Sequence, residues 1–163
     1  MFDYEHKFKH SDVVIFACGI NDLGRYGRSP AELADRILGL IRDVCTRHPN
    51  TTFVFSSLLS TKFQWLSAAA GQFNKMVFEL SLKLENFVFY DAHVVLVDSG
   101  VHVLAPTGDG VHITSTARRV MTDRLIEALS FEIDKSSGRV AKRNKGRWAG
   151  YSWPLRPDFR RLV

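Results

Sequence analysis

Cysteine is scarce in this chain. Two in 163 residues, Cys18 and Cys45, are too few for a disulfide framework. Cys18 stands in an apolar run and Cys45 in a helical pattern, so both read as buried free thiols, which suits a reducing, intracellular and cytoplasmic setting. Long apolar runs are missing as well: no window approaches the roughly 18 apolar residues of a membrane span. The opening MFDYEHKFKH has neither the apolar stretch nor the small-residue cleavage site of a secretory signal. With 45% hydrophobic residues, the chain fits one globular domain that buries a core without covalent staples. No internal repeat is visible.

A net positive charge is also missing from most of the chain. Residues 1–130 hold 13 Lys and Arg against 14 Asp and Glu, a balance of −1. Residues 131–163 hold 9 against 3, a balance of +6, so the net +5 belongs to a tail rather than to the body. The body, 1–130, therefore reads as the folded domain. The tail opens with a hydrophilic stretch at 135–147 and continues with Trp148, Tyr151, Trp153, Leu155 and Phe159 among Gly, Pro and Arg.

Three short apolar runs read as strands: 12–18 (DVVIFAC), 52–58 (TFVFSSL) and 87–90 (FVFY). Each is nearly continuous rather than alternating, as in parallel strands covered on both faces. Helical patterns separate them. Ser29-Pro30-Ala31-Glu32 is a capping box with proline at the first helical position. Leu33, Ile37, Leu40, Ile41 and Val44 then form one apolar face, and His48-Pro49-Asn50 stops the helix. A second helix is predicted over 64–84, with Trp65, Phe73, Met76, Val77, Leu80 and Leu84 inward. A third starts near Thr114 or Ser115 and runs to about Ser130, burying Val120, Met121, Leu125, Ile126 and Leu129. The order β-α-β-α-β-loop-α predicts right-handed parallel crossovers and a three-layer α/β/α sandwich.

Two loops carry the candidate chemistry. The first is Gly19-Ile20-Asn21-Asp22, directly after the first strand, on the edge of an open α/β sheet where ligands bind. Glycine allows a sharp turn, and an asparagine carboxamide can donate to a developing oxyanion. Gly, Asn and Asp are equally the residues of a plain turn. The second is Asp109-Gly110-Val111-His112, before the last helix. Asp and His three apart across a glycine turn can set a carboxylate on one imidazole nitrogen and leave the other to act as a general base. An incidental histidine beside an Asp-Gly turn is the alternative.

A strand ending in GxND, two further strands, and DxxH before a closing helix together resemble the SGNH/GDSL hydrolase family, over residues 10–130. Asn74 sits in a helix like the family's frequent asparagine there, FVFYD at 87–91 is similar to the strand leading to the DxxH loop, and Ile113-Thr114 follows the histidine as in many members. Thr116-Ala117 departs from the pattern, since relatives often have a glycine there. The resemblance implies a flavodoxin-like sandwich, ester hydrolysis through an acyl-enzyme on a small-molecule ester, and no metal or organic cofactor. It assigns His112 as base, Asp109 as its orienter and Asn21 to the oxyanion hole. Gly19 shapes the turn and Asp22 braces the loop.

Two family features have no counterpart in this sequence: a strand ending in Gly-Asp-Ser, whose serine is the nucleophile, and a second loop whose glycine N–H serves the oxyanion hole. Ser56, Ser57 and Ser60 lie near the end of the second strand, but none has that context. The chain is therefore expected to be an N-terminally truncated portion of the fold and close to inert by itself, since losing the nucleophile of a serine hydrolase costs on the order of a million-fold. In the family's sheet the absent strand lies beside the GxND strand. Residues 13–16 are thus expected to offer an apolar edge, to be completed by further sequence or by a second chain.

Two other readings compete. His93, Asp98, His102, Asp109 and His112 crowd one region, and histidine with carboxylate suits zinc or manganese, although the spacings match no ligand motif. The basic, aromatic tail could bind single-stranded nucleic acid by neutralising phosphate and stacking bases, or could be solvated or self-docked. Domains similar to this family occur in some retrotransposon proteins, which would give such a non-catalytic module a mobile-element origin. Salt-dependent binding of single-stranded nucleic acid that disappears on deleting 135–163 is the outcome expected of a binding tail; binding that survives the deletion removes that reading.

Overall fold

The structure, a computed structural model, describes residues 11–100 and 109–130; the basic tail at 131–163 and His102 lie outside the described residues. In chain order the elements are β1 (Val13–Phe16), α1 (Ile20–Gly24), α2 (Pro30–Arg47), β2 (Thr52–Ser56), α3 (Gln64–Ser81), β3 (Phe87–Tyr90), α4 (Ala92–Asp98) and α5 (Ser115–Ser130).

Local chemistry starts α2 where the capping box stands. The Ser29 hydroxyl accepts the Glu32 N–H at 3.2 Å, and the Glu32 carboxylate accepts the Ser29 N–H at 2.9 Å. Two donors that the first turn would leave without partners are thereby satisfied. Pro30 costs nothing at a position that needs no N–H. The other end of α2 is closed from a distance. Nδ2 of Asn86 donates to the carbonyl oxygens of Cys45, His48 and Thr51, each at 3.1 Å, joining the helix end to the starts of β2 and β3.

The strands form a parallel sheet in the order β1-β2-β3, with Val13 opposite Thr52 and Phe53 opposite Phe87. Because side chains alternate along a strand, the two faces separate cleanly. Phe53, Phe55 and Phe87 lie with Leu33, Ile41 and Val44 of α2 and Phe73 and Val77 of α3. Val54, Val88 and Tyr90 lie with Ala92 of α4 and Leu125 of α5, and the Tyr90 hydroxyl donates to the Met121 carbonyl at 3.0 Å. Helices thus cover both faces, giving the three-layer α/β/α sandwich with a parallel sheet. Beyond β1 there is no further strand among the described residues.

Several local readings are corrected. Trp65 is 59% exposed, because Leu66 and Ala70 hold the inward stripe of α3 with Phe73, Val77 and Leu80, and Trp65 lies one step around the helix from it. Ile126 is 57% exposed for the same reason, beside the buried Leu125. Cys45 is a buried free thiol, pushed up to about 12 by burial, but Cys18 is exposed, because β1 ends at Phe16 and the chain has already turned toward the rim. Two short helices, α1 and α4, occupy stretches with no helical periodicity. No helix of the described residues is long and apolar enough to cross a membrane.

Phe73 is fully buried and meets Phe55 edge-on at a centroid distance of 5.7 Å. Phe73→Ala should lower unfolding stability by about 3–5 kcal/mol in urea titrations; a loss below about 1 kcal/mol would mean that the α3–sheet contact is not part of the cooperative core.

Candidate active site

Gly19 ends the extended run after β1 with φ 120°, a left-handed conformation that side chains rarely adopt. Space restricts the position too: a Cβ there would lie 3.3 Å from a Leu33 methyl and 3.6 Å from a Leu58 methyl. The chain then enters α1, where the Asp22 and Leu23 N–H groups return to the Gly19 carbonyl at 3.0 and 3.2 Å. Leu23 is buried and anchors this turn, leaving Asn21 exposed on the carboxyl side of the sheet. Asp22 links to Arg28 twice. Its carbonyl accepts the Arg28 N–H at 3.0 Å, and its carboxylate lies 3.5 Å from the guanidinium Nε.

The second loop is held by its own carboxylate. Oδ1 of Asp109 accepts the N–H groups of Val111 and His112, both at 2.9 Å, and Oδ2 meets Nδ1 of His112 at 2.6 Å. The backbone donor of His112, then that of Val111, then the imidazole hold the carboxyl down from 3.8 to about 2. An ionised carboxylate can only accept, so Nδ1 carries the hydrogen and Nε2 is left with its lone pair outward in the neutral ring. Asp109 and His112 are 53% and 83% exposed at the side chain, so the pair faces solvent on a turn whose Val111 packs into the core.

One connection touches both loops. Residues 57–63 run from β2 to α3, and Leu58 in that stretch lies within ordinary contact of the Cβ position of Gly19, behind the closer Leu33. Asn74 of α3 pins it twice, accepting the Leu58 N–H at Oδ1 and donating from Nδ2 to its carbonyl, each at 2.8 Å. Further on, the Lys62 N–H donates to the Gly110 carbonyl at 2.8 Å. Gly110 has φ 80°, and a Cβ there would fall 2.0 Å from Cδ of Lys62. Lys62 carries no motif and was not legible as part of the site; only its contact with Gly110 reveals it.

The alternative nucleophiles and ligands are placed as well. Ser56 and Ser57 are buried. The Ser57 hydroxyl accepts the Ala92 N–H at 3.0 Å and lies 3.4 Å from Oδ1 of Asp91, the N-cap of α4. Burial pushes the Asp91 carboxyl up, against its hydrogen bonds from Val94 and His93. Ser57 is thus engaged in joining β2 to α4. Among the described residues no three His, Cys, Asp or Glu side chains group so as to hold a metal ion.

A depressed carboxyl stabilises the fold above its ordinary value and loses that contribution as pH falls through its folded value. Carbon-detected titration should therefore place the Asp109 midpoint near 2, with the turn weakening as pH drops from 3.8 toward that value. A midpoint at 3.8 would mean the N–H groups are not aimed at the carboxylate.

No family model and no curated protein matches this sequence. Solved structures do. A carbohydrate esterase family 3 protein from Talaromyces cellulolyticus superposes with TM-score 0.60 at 17% identity, over 74% of this chain and 57% of that one. A variant acetyl esterase holding an acetate ion gives 0.58 at 17% identity, over 74% and 59%. A candidate GDSL-like lipase from Parabacteroides merdae gives 0.58 at 20% identity, over 72% and 59%. The chain spans less than two thirds of the length of each, and over that span it has an SGNH/GDSL hydrolase-like fold.

Proposed function

We propose that this chain supplies the acid–base half of a serine ester hydrolase. His112 acts as general base, Asp109 fixes its tautomer and orientation, and the Asn21 carboxamide donates to the oxyanion. The observation that carries this is the 2.6 Å contact of Asp109 Oδ2 with His112 Nδ1, on a turn that leaves Nε2 available. The shared support of residues 57–63 under the Gly19 and Gly110 turns argues that the two loops open on one pocket.

In this reading a serine hydroxyl attacks the ester carbonyl while Nε2 of His112 takes its proton. The negative charge moves to the carbonyl oxygen, where Asn21 donates N–H. Collapse releases the alcohol, which receives the proton from His112, and leaves an acyl-enzyme. Water then attacks with the same base, freeing the acid and restoring the serine. The serine belongs to a Gly-Asp-Ser strand set beside β1, since no serine of this chain has that context. Esters of acetyl or other small acyl groups are the substrate class. In this reading turnover requires that Gly-Asp-Ser strand together with His112 and Asp109.

A polypeptide in which a Gly-Asp-Ser strand and turn precede this chain should hydrolyse p-nitrophenyl acetate. His112→Ala in that protein should cut kcat on the order of a million-fold, and Asn21→Ala about a hundred- to a thousand-fold, both with unchanged circular dichroism. A folded, completed protein without esterase activity removes the catalytic assignment.

A further inference from the structure

We propose that Lys62 is the positioning residue of the Asp109–His112 pair: its aliphatic stem lies across Gly110 and clamps the turn that sets carboxylate on imidazole. Its functional meaning rests on the hydrolase reading above, whereas the clamp itself does not.

The need for a clamp follows from exposure. Both members of the pair face solvent, so burial does not fix their geometry, and the hydrogen bonds within the turn are all local to four residues. A four-residue turn held only by its own bonds samples open states readily. Something outside the turn has to hold it, and among the described residues there are contacts on two faces. On the inner side Val111 packs against the core. On the outer side Gly110 is buried although Asp109 and His112 flanking it are exposed. Lys62 lies over it. A Cβ built on Gly110 would fall 2.1 Å from Cγ, 2.0 Å from Cδ and 2.4 Å from Cε. Three successive methylenes thus occupy the space of a side chain, so the stem lies flat along the turn rather than touching it with its tip.

The clamp is rooted at both ends. The Lys62 N–H donates to the Gly110 carbonyl, fixing the distance between the two backbones at 2.8 Å. Just before it, the Thr61 N–H donates to Oγ of Ser67 at 2.9 Å, and the Thr61 hydroxyl donates to the Phe63 carbonyl at 3.1 Å. At the far end, Nζ lies 5.2 Å from the centroid of the Phe63 ring, within cation–π range. The stem is thus held at its root by main-chain bonds and at its tip by a ring. Gly110 is matched to this arrangement twice over, by its positive φ and by the space it leaves for the stem.

The test compares Lys62→Ala and Lys62→Met in the full chain by NMR. Methionine keeps an unbranched stem of similar length and removes the charge. Lys62→Ala should raise the Asp109 midpoint from about 2 toward 3.8, because the N–H donors no longer stay aimed. It should also average the two His112 ring-nitrogen shifts, with core amide dispersion unchanged. Lys62→Met should restore the wild-type midpoint and shifts. A wild-type Asp109 titration in Lys62→Ala overturns the proposal. So does Lys62→Met behaving like alanine, since the charge and not the stem would then be acting. In a completed, active protein Lys62→Ala should lower kcat on the order of 100-fold with KM unchanged. A completed protein that is inactive yet shows the NMR effects sinks the hydrolase reading and leaves the clamp; activity with unaltered NMR in Lys62→Ala does the reverse.

Discussion

The connection from β2 to α3 is the constraint on which the candidate site depends. It is short, leaves the sheet at its carboxyl edge, and is fastened to α3 by the paired hydrogen bonds between Asn74 and Leu58. A carboxamide that both donates to and accepts from one residue's backbone behaves like a strand neighbour, fixing position and orientation together. From that anchor the segment reaches Gly19 on one side through Leu58 and Gly110 on the other through Lys62. Neither candidate loop is a long regular element. Each turns on a glycine with positive φ that this segment touches, Gly19 at ordinary contact distance through Leu58 and Gly110 closely through Lys62.

The sheet beneath serves the same end by different means. Alternation of Phe53, Val54 and Phe55 sends bulky rings to one helical layer and a smaller aliphatic chain to the other. A register slip of one residue would exchange these faces, so the strand positions, and with them the starting points of the loops, are strongly specified.

Much of this was legible in the sequence, for identifiable reasons. The capping box at Ser29 and the bounds of β3 are local signals, and local signals survive folding. The Asp109–His112 contact was legible because both residues lie in one turn, where spacing nearly fixes distance. Trp65 and Ile126 were misplaced because each neighbours a true core position, and hydrophobicity alone does not separate adjacent helix faces. Cys18 was misplaced because its run of apolar residues outlasts the strand. The helices α1 and α4 escaped notice because five and seven residues are too few for periodicity. They form on a tight glycine turn and on the Asp91 cap instead. The links from Asn74 to Leu58 and from Lys62 to Gly110 join residues 16 and 48 apart, and no pattern in one dimension carries them.

Asn86 divides the labour of the domain in a way that bears on how it ages. Its amide nitrogen faces three carbonyl oxygens at the amino end of the sheet, at the opposite end of the strands from both candidate turns. Deamidation would replace that donor with a carboxylate oxygen, turning three attractions into three repulsions at a joint shared by one helix and two strands. The rim residues would be chemically intact in such a molecule. Damage at this position would therefore surface as loss of the scaffold rather than as a change at the rim.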